Sequence, residues 1–551
     1  MDNIAANANS SKKSINWKIF LPPWLILVAI VVLSFVNYDA FNATLGAIQA
    51  WILQNFSWLF NSCTVIAVMI LLVTYVSPLR HIRLGGPKAK PMMSYGNFVW
   101  ISLCTILAAG ITLWGCAEPM IHMYNPAAYA DATPGSGKAI TFAMDIMFLE
   151  WSFNPMAIYC LAALTFAFVF FNMKKKYAIG SMVNPAVGDK VNKKINPVID
   201  AICLFCMSCG IAGSMGYGVI MIADGICSIF GGEATKMMKI IIIVVMTAAF
   251  VLSASSGVMN GIRILSTTNS RLFLFLLGFL FIFGPTAYML DVTCETFGTY
   301  ISRFFELSLL TSASTGDYWS RGWPTFFMCS YYAWMPITAL FLGKIGKGFS
   351  IKEFINVVFF FPSFFSCIWM GFFGSTSIYM ELKGYGISKA MEAGEGFATC
   401  EVFKHLPIPT FTILIFLLVT SLSFVTAADS NTNAMSGLCT DGLSADDTES
   451  PVLMKILWGV TGGILCIIFV GTKGVDGIKQ LMNLGGFLGV FLFVGIIVSW
   501  LLIMRNPAKY DVHKDNYDEK GVPIKSPRLH NEAYNPDKKR SWFNKITNWD
   551  Y

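Results

Sequence analysis

Aromatic residues in two separate apolar segments have the chemistry to bind an organic cation. Trp151 and Tyr159 lie eight residues apart in one apolar segment, and Tyr331 and Trp334 lie in a later one. An eight-residue spacing brings two side chains close to one face of a helix. Because the face of an aromatic ring attracts positive charge, these rings could hold an ammonium group. The competing interpretation is an aromatic belt at a membrane interface, where Trp and Tyr are common.

The segment that carries Tyr331 and Trp334 also contains Pro336. Proline removes one helical hydrogen bond and frees a backbone carbonyl. In a bilayer this is tolerated where the backbone is buried in protein or lines a cavity. We therefore predict that Pro336 breaks this helix and leaves free carbonyls beside the aromatic rings. The alternative is a kink that serves packing.

Two further sets of polar residues lie inside apolar segments. Asp145 and Glu150 precede Trp151, and ionisable groups at membrane depth are costly and by default functional. The alternative for both is a position near the outer membrane surface, in contact with water. The run from Thr426 to Asn433 contains hydroxyl groups and Asp429. It could supply oxygen ligands to a hard cation such as sodium, or it could cap a helix.

The elements that must position these residues are membrane-spanning helices. Of the 551 residues, 55% are hydrophobic and 13% are charged, against about 25% charged in soluble proteins. The sequence therefore predicts an all-α integral membrane protein. A span needs about 20 apolar residues, and twelve segments qualify: 19–37, 54–76, 97–117, 140–171, 198–222, 238–255, 272–290, 322–343, 354–376, 407–428, 452–471 and 483–504.

The loop charges predict the orientation in the cell membrane. With an even number of spans, about 29 Lys and Arg residues fall on the side of the termini and about 10 on the opposite side. The positive-inside rule then places both termini in the cytoplasm. The polar start of the chain, Met1–Asn16, lacks the layout of a signal peptide, so the first apolar segment is predicted to be retained. Because the basic residues lie in short loops, no nucleic-acid partner is expected.

The spans suggest five regions. They are a cytoplasmic tail at 1–18, two peripheral spans at 19–96, five helices with an interfacial helix at 97–321, five more helices at 322–504, and a cytoplasmic tail at 505–551. The stretch 291–321 is predicted to form an amphipathic helix in the outer interface. The charged, proline-bearing C-terminal tail is predicted to be disordered or loosely attached.

Enzymatic and metal chemistry find little support in the sequence. Cys203, Cys206 and Cys209 share one helix face, which favours packing of small residues, because no His lies near them and the five His are dispersed. Neither a phosphate-binding loop nor a hydrolytic triad pattern is present. We therefore expect no enzyme, no metal site and no cofactor, with sodium left open.

Several motifs together resemble the betaine/carnitine/choline transporter (BCCT) family over nearly the whole chain. They are W-G-x-x-E-P at Trp114–Pro119, the segment Phe148–Pro155, Y-x-x-W at Tyr331–Trp334, the loop Lys344–Phe354 and T-x-A-D-S at Thr426–Ser430. The resemblance implies a LeuT-like fold of two inverted five-helix repeats preceded by two helices, with the ligand near the midplane. It also implies a homotrimer.

The resemblance further implies a box of aromatic residues around a trimethylammonium group. Trp151 and Tyr159 match box positions in the fourth span, whereas a second tryptophan there is Met156. In the eighth span Tyr331 stands at the central tryptophan of the box, Ser330 at a neighbouring tryptophan, and Trp334 at the later one. Each lost ring weakens the attraction by roughly 0.5–2 kcal/mol. Trp114 is expected nearby, and Glu150, where relatives often have His, is a candidate to attract a substrate ammonium.

The family's sodium sites are altered in this chain. Met207 and Ile211 stand where sodium symporters have threonines. Thr426 keeps one hydroxyl of a second site, next to Ala427, and Asp429 is a further candidate ligand. The sodium-independent exchangers carry an Arg in the seventh span, which here aligns with Ser270 beside Arg271. These replacements favour exchange or facilitated uptake without sodium.

Three functions remain open from the sequence. The first is a secondary transporter of a quaternary ammonium compound or related zwitterion, which works by alternating access in the cytoplasmic membrane. The second is a LeuT-like amino-acid or amine transporter with an altered aromatic box, favoured by Met156 and Ser330 and opposed by Trp151, Tyr331 and Trp334. The third is a membrane sensor, which would need a signalling domain.

Overall fold

The protein is almost entirely helical. A computed structural model describes residues 14–107, 110–255, 259–442, 450–527 and 529. The helices of its first half are α1 (Trp17–Val36), α2 (Tyr38–Val76), α3 (Tyr95–Leu107), α4 (Gly110–Tyr124), α5 (Gly137–Trp151), α6 (Phe153–Ala167), α7 (Asn184–Val187), α8 (Asp189–Phe230), α9 (Lys236–Ser255), α10 (Met259–Phe283) and α11 (Thr286–Ser302).

The second half begins with short segments around a long central helix. Its helices are α12 (Phe304–Ser308), α13 (Trp319–Gly322), α14 (Pro324–Ile345), α15 (Ile351–Ile355), α16 (Phe361–Leu382), α17 (Ile387–Ala390), α18 (Gly396–Lys404), α19 (Pro409–Leu438), α20 (Val452–Lys473), α21 (Val475–Arg505) and α22 (Pro507–Tyr510). Two short strands, β1 (Ser14–Ile15) and β2 (Thr440–Asp441), pair antiparallel.

Membrane-spanning helices account for most of this architecture. Within the described ranges, eleven helical segments are long and apolar enough to cross a bilayer, and the pair α3 and α4, bent by 55°, makes a twelfth. The twelve predicted spans and the all-α membrane fold are therefore confirmed. The inverted relation of the two five-helix repeats stays a prediction.

Helices differ sharply in what surrounds them. Large apolar side chains are exposed on the outer helices, such as Phe35 on α1, Leu252 on α9 and Ile282 on α10. In a bilayer such faces meet lipid. By contrast α14 and α6 pack against each other and are buried nearly all round, and α21 covers α14 from a further side. A helix that is apolar on every face belongs in such a core.

The fourth span is interrupted directly after Trp151. Helix α5 ends there, and α6 starts at Phe153 after Ser152, whose backbone (φ −113°, ψ −116°) is not helical. Pro155 lies in the first turn of α6, where a missing N–H costs little. Because of this break, the position of the Trp151 side chain does not follow the helical spacing of α6.

The eighth span is continuous, so the predicted break at Pro336 is wrong. Helix α14 runs through Pro336 to Ile345. The carbonyl that Pro336 leaves without its helical partner is that of Tyr332, four residues earlier. Gly489 of α21 lies directly against it, since a Cβ built on Gly489 would be 2.3 Å from the Tyr332 oxygen. The freed carbonyl is thus buried against a helix backbone, which the bilayer tolerates.

The outer interfacial segment differs in detail from its prediction. In place of one helix over 291–321, α11 covers Thr286–Ser302 and α12 covers Phe304–Ser308. Between them Arg303 forms an ion pair of 3.2 Å with Asp145, which is fully buried. Thr299 also donates to Asp145. Asp145 therefore joins α5 to this segment and is shielded from water.

Both ends of the described chain lie at the same end of the bundle. Strand β1 pairs with β2, which directly follows α19. The segment after α21 does not detach. Asp511 is buried and accepts hydrogen bonds from Asn172, Asn516 and Tyr517 at 2.8–3.0 Å. The prediction of a disordered tail is wrong up to Ser526, whose carbonyl accepts from Arg83. Residues 1–13 and 530–551 lie outside the described residues.

Cysteine burial supports a packing role. All fourteen cysteines lie in described residues and are free; thirteen are buried and Cys294 is exposed. A Cβ built on Gly485 of α21 would lie 2.9 Å from the Cβ of Cys209. Because small residues face each other here, α8 and α21 approach closely.

Candidate functional site

An aromatic cavity lies where α14, α5, α6 and α8 meet. Its volume is about 50 Å³, and its lining residues are Ile106, Leu107, Gly110, Trp151, Tyr159, Ser214, Tyr217, Phe327, Ser330, Tyr331, Trp334 and Met482. A water molecule needs roughly 10–15 Å³ on this scale, so the cavity holds a small, compact group. Trp151, Tyr159, Tyr331 and Trp334 are each at most 9% exposed.

Helix α14 supplies one wall through a single face. Phe327, Tyr331 and Trp334 follow the spacing i, i+4, i+7, which keeps side chains on the same side of a helix. Ser330 lies between them and donates its hydroxyl to the Phe327 carbonyl at 2.8 Å. The wall therefore presents three rings and one small residue.

The rings meet edge to face. The centroids of Trp151 and Tyr331 are 6.4 Å apart at 88°, and those of Tyr159 and Tyr331 are 5.7 Å apart at 86°. Phe327 lies 5.4 Å from Trp151. These rings border one cavity, and ring faces are the surfaces that attract cations.

Two glycines allow the tryptophans to approach their neighbours. A Cβ built on Gly110, the first residue of α4, would be 3.0 Å from Cη2 of Trp151. A Cβ on Gly210 of α8 would be 3.4 Å from two atoms of the Trp334 indole. A larger residue at Gly110 would force the Trp151 ring to shift.

Hydrogen bonds fix the orientation of two rings. Trp151 donates from Nε1 to Oε2 of Glu118 at 2.8 Å. The Tyr331 hydroxyl donates to the backbone carbonyl of Glu150 at 2.8 Å. The second bond uses the carbonyl that lies just before the helix break, so it couples α14 to the end of α5.

The predicted residues divide into two groups. Trp151, Tyr159, Ser330, Tyr331 and Trp334 line the cavity together. Trp114, Glu150 and Met156 are buried but are not part of the lining.

Two of the three have contacts with the residues around the cavity. Trp114 packs against Phe327, with its ring centroid 6.1 Å from that of Phe327. The Glu150 carboxylate lies close to Glu118 and His122.

Sequence reasoning missed Phe327 and Tyr217. Both line the cavity, and Tyr217 also lies 5.8 Å from the Trp114 ring. Phe327 was detectable because it precedes Tyr331 by one helical turn. No such spacing marks Tyr217, because it is the one aromatic residue that α8 places in the cavity lining, among many small residues of that helix.

The predicted ion ligands already have protein partners. Thr426 donates its hydroxyl to the Leu422 carbonyl of its own helix. Asp429 accepts from Ser253 of α9 and from Asn433 at 2.7 Å. Asp429 lies inside α19, which continues to Leu438, so it does not cap a helix end.

The charged groups near these ligands are also placed by the structure. Lys455 is buried, donates to the Ala254 carbonyl at 3.0 Å and interacts electrostatically with Asp429. Arg271 is exposed, whereas Ser270 is buried beside Cys104. The position in the seventh span that the resemblance linked to exchange therefore holds a neutral buried residue.

A bundle of spans around a buried, ring-lined cavity fits a membrane transporter of small solutes. The chain belongs to the BCCT, betaine/carnitine/choline family of transporters, whose family model matches residues 18–509. The resemblance inferred from the motifs is thus confirmed. Membership supports secondary transport and does not favour the alternative of an amino-acid or amine substrate, and the relatives are transporters, not enzymes.

Curated relatives of this chain include proteins named as glycine betaine and ectoine transporters. A glycine betaine transporter of Acinetobacter baylyi is 27% identical over 90% of this chain and 74% of its own length. An ectoine/hydroxyectoine transporter of Virgibacillus pantothenticus is 26% identical over 85% of this chain and 92% of its own.

The glycine betaine transporter OpuD of Bacillus subtilis is 27% identical over 83% of this chain and 89% of its own. A solved structure of a sodium-coupled sialic acid symporter aligns with 80% of this chain and 87% of its own length, at 13% identity and a TM-score of 0.45. This likeness is too low to bear on ion coupling.

Proposed function

We propose that the protein carries a small quaternary ammonium compound or related zwitterion of the glycine betaine type across the cell membrane by alternating access. The cationic group is held in the aromatic cavity by the faces of Trp151, Tyr159, Tyr331 and Trp334. The observation that carries the proposal is that these four rings, from three helical segments, border one buried space of about 50 Å³.

The chemistry of the lining favours a methylated cation over a primary ammonium. Apart from hydroxyl groups such as those of Ser214 and Tyr217, the lining is aromatic and apolar, so a bare ammonium would find few acceptors for its N–H donors, which is costly. A quaternary ammonium has no such donors, so it loses less on leaving water. The glycine betaine and ectoine relatives support the same substrate class.

We infer further that transport does not require sodium. The hydroxyl of Thr426 and both carboxylate oxygens of Asp429 are engaged within the protein. The buried Lys455 ammonium already supplies positive charge to Asp429. A sodium ion at these residues would have to displace those partners. Uptake into proteoliposomes should therefore have the same rate in sodium and in potassium buffer; a drop of tenfold or more in potassium would contradict this inference.

The central test compares a cation with its neutral twin. Glycine betaine and 3,3-dimethylbutanoate have the same shape, but the second has carbon in place of the quaternary nitrogen. Wild-type protein should bind glycine betaine more tightly. Trp334→Leu should weaken glycine betaine binding by roughly 2- to 30-fold, the equivalent of about 0.5–2 kcal/mol, and should change binding of the neutral twin little. Trp58→Leu, on an exposed part of α2, is the matched control.

Equal binding of the two compounds to wild-type protein would contradict a cation-binding role for the rings. An unchanged affinity in Trp334→Leu would remove that residue from the proposed site. The homotrimer and the cytoplasmic placement of both termini also remain proposals, supported by the resemblance to the family and by the loop charges.

A further inference from the structure

Three buried side chains converge beside the aromatic cavity, on the far side of Trp151. Glu118 and His122 lie one turn apart on α4, and Glu150 is the penultimate residue of α5. Each offers a ligand atom, and these atoms all lie within 4.8 Å of one another. All three side chains are fully buried. The cluster thus brings two carboxylates and an imidazole together where water does not reach.

Most of their polar atoms lack a protein partner. Among the described residues, neither carboxylate oxygen of Glu150, neither ring nitrogen of His122, nor Oε1 of Glu118 has a hydrogen-bond partner. The remaining oxygen of Glu118 accepts from Trp151. Buried polar atoms are nearly always satisfied, so five unsatisfied atoms in one place indicate a missing ligand. The charge of two carboxylates indicates that this ligand is positive.

The neighbouring cation does not fill this role. Lys479 of α21 is within electrostatic range of both glutamates. Its ammonium, however, lies over the Trp323 ring at 4.0 Å and forms no ion pair with Glu118 or Glu150. The rings of Trp323 and Trp319 in turn pack on His122, with centroids 4.7 Å and 5.1 Å away. The cluster therefore packs against aromatic residues, and no cation of the described part of the chain lies at contact distance from it.

The separation of His122 from Glu118 fits two ligands of one metal ion. Nε2 of His122 and Oε1 of Glu118 are 3.6 Å apart, too far for a strong hydrogen bond. Two ligands of a tetrahedral ion with bonds of about 2.0–2.1 Å lie about 3.3–3.4 Å apart. Imidazole with carboxylates is a donor set for first-row divalent metals such as zinc or manganese. We propose that Glu118, His122 and Glu150 bind one divalent transition-metal ion that ties α4 to α5 beside Trp151.

Manganese is the probe of choice because the chain has fourteen cysteines. Thiolates prefer softer ions, whereas manganese prefers oxygen ligands such as carboxylates. The full-length protein is purified in detergent with chelator, the chelator is removed, and MnCl₂ is titrated in. Free Mn²⁺ is followed by electron paramagnetic resonance in the absence of any transport substrate. We expect one site per chain that also yields to competing Zn²⁺.

Two variants each remove one ligand. Glu150→Gln and His122→Gln should each weaken manganese binding at least tenfold. His405→Gln is the matched control, because His405 also faces a Glu one turn away, Glu401 at 3.2 Å, but on a partly exposed helix end; it should bind like wild type. Size-exclusion profiles and metal-free melting curves identify any variant that fails to fold, in which case the other variant decides.

Two results would overturn the proposal. One is wild-type protein that leaves the free Mn²⁺ signal unchanged up to millimolar concentration. The other is a folded Glu150→Gln or His122→Gln variant that binds as wild type does. Because no transport substrate enters the experiment, neither result depends on whether the protein transports glycine betaine.

Discussion

Tyr331 has two roles, one for its ring and one for its hydroxyl group. Its ring borders the cavity, and its hydroxyl donates to the Glu150 carbonyl at 2.8 Å. Tyr331→Phe should keep the ring and lose the hydrogen bond, at a cost of about 0.5–1.5 kcal/mol plus the unsatisfied carbonyl. We expect a lower melting temperature in detergent but nearly unchanged glycine betaine affinity.

Tyr331→Leu is the contrasting change at the same residue. It removes the ring face as well, so affinity should fall further, by roughly 2- to 30-fold. If Phe and Leu at this position weakened binding equally, the hydroxyl rather than the ring face would be the important group. Isothermal titration with glycine betaine distinguishes the two outcomes.

At the residue scale the sequence predicted the cavity better than its surroundings. The rings of Trp151, Tyr159, Tyr331 and Trp334 were identified because family motifs and helical spacing mark them. Glu118 and His122 are four residues apart on a helix, a spacing that could have signalled a pair of ligands. Their convergence with Glu150 depends on how α4 crosses α5, which no local pattern encodes.

At the scale of elements, the contact between α14 and α21 depends on glycine. A Cβ built on Gly486 would be 1.8 Å from the Cys329 carbonyl oxygen, which is backbone and cannot turn aside. Gly486→Ala should therefore separate the two helices and sharply lower the yield of folded protein. Gly278→Ala on α10, where a Cβ meets nothing within 4 Å, should be neutral. Fluorescence-detected size exclusion compares the two.

A Gly486→Ala variant with wild-type yield and melting temperature would show that the helices relax without cost. The same contact explains why the sequence misjudged Pro336. A proline inside a span predicts a break, yet α14 stays straight enough to continue because α21 brings a glycine to the freed carbonyl. That partner lies more than 150 residues away. The helix break beside the cavity lies in the fourth span instead, at Ser152, and Pro155 lies in the first turn of the helix that follows, α6.

At the scale of the whole molecule, the segment after α21 ties the ends of several helices together. Asp511 accepts from Asn172, Asn516, Tyr517 and the backbone of His513. Asp511→Ala should leave these buried donors unsatisfied, at about 1–3 kcal/mol each before relaxation. We expect the melting temperature to fall by several degrees, whereas Asp515→Ala, at an exposed position of the same segment, should not change it.

An Asp511→Ala protein as heat-stable as wild type would mean that the packed segment contributes nothing to stability. Composition alone favoured a loose tail, because the segment is rich in charge and proline. One buried carboxylate with several donors outweighs that tendency, and such a network depends on contacts with Asn172 and Arg83 that are distant in sequence.

The burial of thirteen of the fourteen cysteines gives the molecule a built-in chemical handle. Cys294 lies on α11 between exposed Asp291 and Glu295, so a thiol-reactive dye should attach at one position without any engineered mutation. If both termini are cytoplasmic, α11 faces the exterior, and a membrane-impermeant maleimide should label intact cells. Cys294→Ser should abolish that labelling, and labelling that appears only after the cells are opened would reverse the proposed orientation.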